Sequence, residues 1–377
     1  MIYMDNAATT RVKDEVVQAM LPYFTQVYGN PSSVHAYGRA ARKAVESARR
    51  SAAEYLGCQA REIYFTSGGS EADSWALLSS AKTAKGRKTL ITSQIEHKAV
   101  LNAARQLESE GFTVKYLPVD AKGVIHPEEL EKRIDDDTFL VSVMAVNNEV
   151  GSVQDIAALS RIARSRGALF HTDAVQAMDL FNGRLGAGDI DLLSLSGHKL
   201  HAPKGVGALY IRDGLDVHSL ISGGSQERGK RGGTENVTGI VGLGKAFELL
   251  AQNREEYIAQ KRTLIKRLED GILSGIGGAS VNGPCAEERA SGILNVAFDG
   301  VDGEALLFNL DLKGIAVSAG SACTAGSVDI SHVLLAMGLK RQKAHASIRF
   351  SVSDENTVSE VDEVLTTLGD IIRRIRK

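Results

Sequence analysis

The stretch Asp191-Leu-Leu-Ser-Leu-Ser-Gly-His-Lys199 decides the fold. Its short apolar run reads as a buried strand closed by the turn Ser196-Gly-His-Lys199, and Ala208-Leu-Tyr-Ile211 reads as the next strand. Between them lies His201-Ala-Pro-Lys-Gly-Val-Gly207, punctuated by proline and glycine. A lysine is rarely left at the buried end of a strand unless something pairs with it or reacts with it. Desolvation lowers an ammonium's pKa and frees the amine, which makes Lys199 a candidate Schiff-base former. The competing reading is a surface lysine in a turn, and this stretch alone does not separate the two.

Working outward, the strand signal recurs at 62–66, 88–92, 113–118, 139–146 and 168–172. Helical patterns lie between, over 35–56, 98–109, 127–134 and 155–166, with Gly57 placed to stop the first. Strands separated by helices, rich in β-branched residues and without hairpin signals, predict an α/β fold with a mainly parallel sheet flanked by helices. Residues 235–273 predict a long helical connector. Beyond Gly278 the pattern becomes a smaller α+β unit, with strands 293–298, 315–317 and 347–350 and helices 303–310, 331–337 and from 357. The predicted organisation is a large domain over 11–255 and a small α+β domain made of 1–10 and 256–377.

Composition excludes several classes. The chain has 377 residues, 43% hydrophobic and 24% charged, with a net charge of −2, so no global field draws it to nucleic acid or a membrane. The start, Met1-Ile-Tyr-Met-Asp5, lacks the pattern of a signal peptide, and no apolar run approaches a membrane span. Cys58, Cys285 and Cys323 include no close pair, which excludes a CxxC metal or redox motif and argues against a disulfide framework. A reducing cytoplasm is the expected location, and no metal site is expected.

In open α/β sheets, ligands sit beyond the carboxyl ends of the strands. Thr66-Ser-Gly-Gly-Ser-Glu71 ends one strand and opens a helix. Its glycines let backbone approach an anion at the helix N-terminus, although a capping box at Ser67 or Ser70 reads equally well. Asp173 and Gln176 follow the 168–172 strand, where a carboxylate could hold a proton on a pyridinium nitrogen or simply cap a helix. Asn147-Asn-Glu149 and Glu96-His97 stand at two further strand ends, His97 being either a ring stacker or a structural histidine. A lysine, an acid, a phosphate loop and an aromatic stacker on one sheet are what pyridoxal 5'-phosphate needs.

With these motifs together, the chain resembles the cysteine desulfurases of the NifS/IscS type, in the aspartate-aminotransferase-like superfamily of fold-type-I, pyridoxal-phosphate-dependent enzymes. The matching stretches are Met4-Asp-Asn-Ala-Ala-Thr-Thr10, Asn30-Pro-Ser-Ser33 with His35, Thr66–Glu71, Glu96-His97, Asn147–Glu149 with Gly151, and Asp173–Gln176. Ser196–Lys199, Arg231-Gly-Gly-Thr-Glu-Asn236, Gly320-Ser-Ala-Cys-Thr324 and Ser347-Ile-Arg-Phe-Ser351 complete the set.

The resemblance implies that Lys199 is the Schiff-base lysine and moves the Cα proton. It implies that Asp173 pairs with the pyridine nitrogen, Gln176 with the phenolic oxygen, and that His97 stacks on the ring and transfers protons. Gly69, Ser70, Ser196 and His198 become phosphate ligands, with Thr234 donated by the other subunit of a homodimer with shared active sites. Asn148 becomes a cofactor and substrate contact, and Arg349 the holder of the substrate carboxylate. Cys323, among small residues, becomes the nucleophile that takes sulfur from L-cysteine as a persulfide, leaving L-alanine. The implied partners are sulfur-acceptor proteins of iron–sulfur cluster, thio-cofactor or tRNA-thiolation biosynthesis, with no direct nucleic-acid contact. Two alternatives stand beside this reading: a selenocysteine lyase, and a catalytically idle scaffold for acceptor proteins.

Overall fold

The structure, a computed structural model, describes residues 1–183, 185, 189–319 and 330–376. The chain opens with β1 (Ile2–Tyr3). The principal sheet contains β2 (Ile63–Thr66), β3 (Thr89–Ser93), β4 (Thr113–Leu117), β5 (Thr138–Ser142), β6 (Leu169–Asp173), β7 (Leu192–Ser196) and β8 (Gly207–Ile211), in the order β2-β8-β7-β6-β5-β3-β4. Its strands from β3 to β7 pair in parallel, whereas β8 is antiparallel to both β7 and β2. The strand patterns contained no sign of that reversal. Its cause is the connection: residues 197–206 are too few for the helical crossover that a parallel return requires.

Both faces of this sheet are covered, which is why β3, β5, β7 and β8 are buried at every residue and show no polar alternation. Successive residues still point to opposite faces. Leu140 falls in the cluster of Trp75 and Val100, from the helices Gly69–Lys82 and Lys98–Ser109. Val141 falls in the cluster of Val45 and Leu159, from the helices Ala36–Leu56 and Ile156–Ser165. The Ala36–Leu56 helix buries Ala41, Ala44, Val45, Ala48 and Ala52 along one stripe. It begins at His35, whose Nδ1 accepts from the Gly38 N–H at 3.3 Å. It stops at Gly57, whose φ of 73° is the left-handed conformation that ends helices.

A second sheet contains β9 (Ala279–Asn282), β10 (Ile293–Phe298) and β12 (Ser347–Ser351), antiparallel in the order β12-β10-β9, while β11 (Ile315–Ala316) pairs in parallel with β1. β9 and the short helices Asp14–Met20 and Arg341–His345 carry patterns too brief to read from sequence. The Val237–Gly275 helix runs between the two cores. Its first half buries Ile240, Leu243 and Phe247 with the principal sheet, its second half Leu264, Leu268 and Ile272 with the smaller one. Among the described residues no helix is long and apolar enough to cross a membrane.

Candidate active site

The carboxyl ends of β2, β3, β5, β6 and β7 open onto one cavity of about 350 Å³. Gly69, Ser70, His97, Asn148, Asp173, Gln176, Ser196, His198, Lys199 and Arg349 all line it. Thr234 does not. It is exposed on the segment before the Val237–Gly275 helix, and that segment is tied to the same wall by Arg231, whose guanidinium grips Glu71 at 2.8 and 3.0 Å. Cys323 lies outside the described residues.

One wall of the cavity is the start of the Gly69–Lys82 helix. Among the described residues no side chain caps it, so the capping-box reading of Ser67 or Ser70 does not hold; Glu71 instead accepts from the Ser67 N–H at 2.8 Å. The helix's first N–H groups therefore face the cavity with its positive dipole end. Close approach keeps the wall in place: a Cβ at Gly207 would sit 2.8 Å from Gly68 Cα, so only glycine lets β8 lie against this loop.

Asp173, at the end of β6, is 5% exposed, and its Oδ1 accepts from the Val175 N–H at 2.9 Å. Burial raises its pKa, opposed by His97 and Lys199. Behind it His171 spans Ser142 Oγ at 2.8 Å and Ser194 Oγ at 2.9 Å. Burial pushes His171 down to about 3, so this imidazole is a neutral strut. His97 both faces the cavity and caps the Lys98–Ser109 helix, with Nδ1 accepting from the Ala99 N–H at 3.2 Å. Its pKa is lowered by burial, with Lys199 adding to the effect and Asp173 opposing it. His198 is pushed down to about 4, first by burial and then by Lys199. Both rings are therefore neutral near pH 7, able to stack or to accept a proton.

Lys199 stands in the short 3-10 turn Gly197–Lys199 after β7 and donates to the carbonyls of Ala7 at 2.5 Å and Ala8 at 2.6 Å. Gln176 Nε2 donates to Ala7 O at 2.8 Å. Arg349, on β12, is 2% exposed and enters from the smaller sheet. Sequence reasoning assigned no role in the site to the Ala7 and Ala8 carbonyls, nor to Asp73, Glu96 and His332, which line the same cavity. Backbone carbonyls of alanine leave no local signal. Glu96 was visible only as the neighbour of His97.

The residues fit pyridoxal phosphate. An uncapped helix start would meet the phosphate, a buried carboxylate would meet the ring nitrogen, neutral imidazoles would supply a stacking face, and an amine lies within the same 350 Å³. The fold and site define a fold-type-I pyridoxal-phosphate enzyme. The family model for class-V aminotransferases matches residues 2–364, and the chain belongs to that family. It is 48% identical to the cysteine desulfurase IscS of Methanosarcina thermophila, over 100% of this chain and 93% of that one. It is also 48% identical to cysteine desulfurase 2 of Trichormus variabilis, over 100% and 94%. Among solved structures, a NifS-like protein superimposes with a TM-score of 0.92 at 42% identity, covering 99% of both chains. A structure described as SspA in complex with cysteine gives a TM-score of 0.82 at 36% identity, covering 95% of this chain and 100% of that one.

Proposed function

We infer that the chain is a pyridoxal-phosphate-dependent cysteine desulfurase in which Lys199, Asp173, His97 and Cys323 divide the chemistry. The observation that carries this assignment of roles is the convergence of an amine, a buried carboxylate, neutral imidazoles and a buried arginine on one cavity beneath an uncapped helix N-terminus. Bound pyridoxal phosphate supplies the electron sink that acidifies the substrate Cα–H and weakens the Cβ–S bond.

The chain's own residues do the rest. The Gly69 and Ser70 end of the helix, Ser196 and His198 hold the phosphate. Thr234, exposed and absent from its own cavity, serves the cavity of a second copy, which makes the working unit a homodimer. Asp173 keeps the ring nitrogen protonated, Gln176 bonds the phenolic oxygen and Asn148 completes the polar wall. His97 covers the ring face. Lys199 is the attachment point and takes the Cα proton. Arg349 receives the substrate carboxylate.

The Cys323 thiolate attacks the sulfur of bound L-cysteine. The new S–S bond forms as Cβ–S breaks, the bonding pair stays with the carbon fragment, and protonation there releases L-alanine. The persulfide on Cys323 is then passed to a thiol of an acceptor protein in iron–sulfur or thio-compound assembly. On either side of the 320–329 stretch, Ser318 bonds the Arg349 backbone and His332 lines the cavity, which supports Cys323 working at this site. Replacing Cys323 by alanine is expected to leave cofactor absorption intact and abolish sulfide release from L-cysteine under reductant. Undiminished sulfide would sink the nucleophile assignment.

A further inference from the structure

Arg349 is held in an unusual way for a buried cation. Its Nη2 donates to Asp5 Oδ1 at 2.7 Å and its Nη1 to the Asn148 carbonyl at 3.0 Å. Its Nε, also buried, finds no partner among the described residues. A buried donor left unmet is costly, so its persistence at a cavity wall points to a ligand. Asp5 reaches this arginine from the opposite end of the chain.

The placement of Asp5 is not left to its own side chain. The segment around it is laced to β12, the strand that carries Arg349: Ser351 N–H donates to Met4 O at 2.7 Å, Asn6 N–H to Ser351 O at 3.2 Å and Ala7 N–H to Ser351 Oγ at 2.8 Å. Asn6 Nδ2 adds bonds to Ser351 O at 3.0 Å and to Asn356 Oδ1 at 3.2 Å. Ala8 N–H closes the turn onto Asp5 O at 2.9 Å. Only Phe350 separates Arg349 from the clamped Ser351, so carboxylate and guanidinium are fixed by backbone bonding on both sides. The same lead supplies the carbonyls that hold Lys199.

We propose that Asp5 is a positioning residue for substrate: with the Asn148 carbonyl it locks the Arg349 guanidinium in one orientation, leaving the Nε edge to receive the carboxylate of an α-amino acid. The inference rests on Arg349 being the carboxylate holder. An arginine fork locked beforehand gives up little freedom when its ligand arrives, and most of that gain is lost once the lock is removed. Asp5 thus favours ligands that carry a carboxylate on the carbon bearing the amine, and does nothing for an amine without one.

The test uses the holoenzyme, two probes and the near-visible absorption of the bound cofactor. L-alanine has the carboxylate and ethylamine lacks it. In Asp5→Ala, binding of L-alanine is expected to weaken about tenfold while ethylamine stays within about twofold, and Asp5→Glu is expected to recover most of the loss. Equal weakening of both probes, as from general loosening of the lead, or no change in either, overturns the proposal. Should Asp5→Ala fail to fold, the same ratio is read from Asp5→Asn. Arg349→Lys separates the two levels of inference. If it leaves L-alanine binding unchanged, the reading of Arg349 itself is overturned. If it weakens L-alanine while Asp5→Ala does not, only the role of Asp5 falls.

Discussion

Arg49 and Arg349 are the same side chain buried to the same depth, 3% and 2% exposed, and the protein treats them oppositely. Arg49 lies under the principal sheet and is satisfied from every side. Its two terminal nitrogens bond both oxygens of Glu227 at 2.8 Å, Nη1 also reaches Ile63 O at 2.7 Å, and Nε reaches Glu46 at 3.3 Å. The guanidinium also stacks on Phe65 at 4.6 Å. Glu227 and Arg228 adopt left-handed backbone, φ 45° and 59°, a conformation most side chains avoid, and the bonds made by Glu227 to Arg49 and to the Phe65 N–H at 2.9 Å help to offset that strain. Arg349 has one carboxylate oxygen, one carbonyl and a buried Nε with no partner among the described residues. The lesson is that burial alone does not separate a scaffold arginine from a ligand-binding one; the state of its donors does.

The largest test of that contrast is at Glu227. Glu227→Ala strips the charged, buried Arg49 of its two-bonded carboxylate and leaves only Glu46 at 3.3 Å as an acidic partner, and is expected to cost about 3–5 kcal/mol in urea unfolding, with L-cysteine affinity of the folded fraction unchanged. A loss below about 1 kcal/mol would mean that water reaches Arg49 and that the contrast with Arg349 is overstated.

A smaller effect is expected at Glu96, on the cavity wall. Burial raises its pKa to about 8 although its oxygens accept from the Met144 N–H at 3.0 Å and from Ser93 Oγ at 2.5 Å. The folded state therefore holds this proton more tightly than the unfolded chain. Its contribution to stability is complete below the ordinary value of 4.5 and is lost as pH rises towards 8. His171 acts in the opposite direction, its contribution being lost as pH falls from its ordinary 6.5 towards 3. Between about pH 6.5 and 8, then, Glu96→Gln is expected to flatten the decline in urea midpoint. An unchanged slope would place the proton elsewhere in the carboxyl set of Glu96, Asp73 and Asp173.

The smallest effect is expected at Arg267. It meets Asp362 through two bonds of 2.6 and 2.9 Å, as orderly a fork as that of Arg49, but both side chains are about half exposed. Arg267→Ala is expected to leave the urea midpoint unchanged within error, because solvent already satisfies both partners. A clear loss would show that fork geometry, rather than burial, sets the worth of these pairs.

Much of the fold was legible because it rests on local signals. Gly57, and the uninterrupted apolar runs of β5 and β7, fixed elements to within a few residues. The site was legible where a strand end carries its own chemistry: Asp173 after β6, Lys199 after β7, His97 after β3. What stayed hidden has no local signature. The antiparallel turn into β8 depends on connection length, the cavity contributions of Ala7 and Ala8 are backbone carbonyls, and His332 shares the cavity with His97 across more than half the chain.

The sequence by itself determined the alternation of elements, the residue types at the strand ends and the family resemblance, because period, punctuation and residue type are properties of short stretches. Only the tertiary structure decided which charges are satisfied. Asp5 and Arg349 stand 344 positions apart, as Arg49 and Glu227 stand 178 apart, and no pattern along a chain states which of two buried arginines keeps a donor open. That follows from desolvation: the cost of an unmet donor is set by everything packed around it, and packing exists only after the fold has closed.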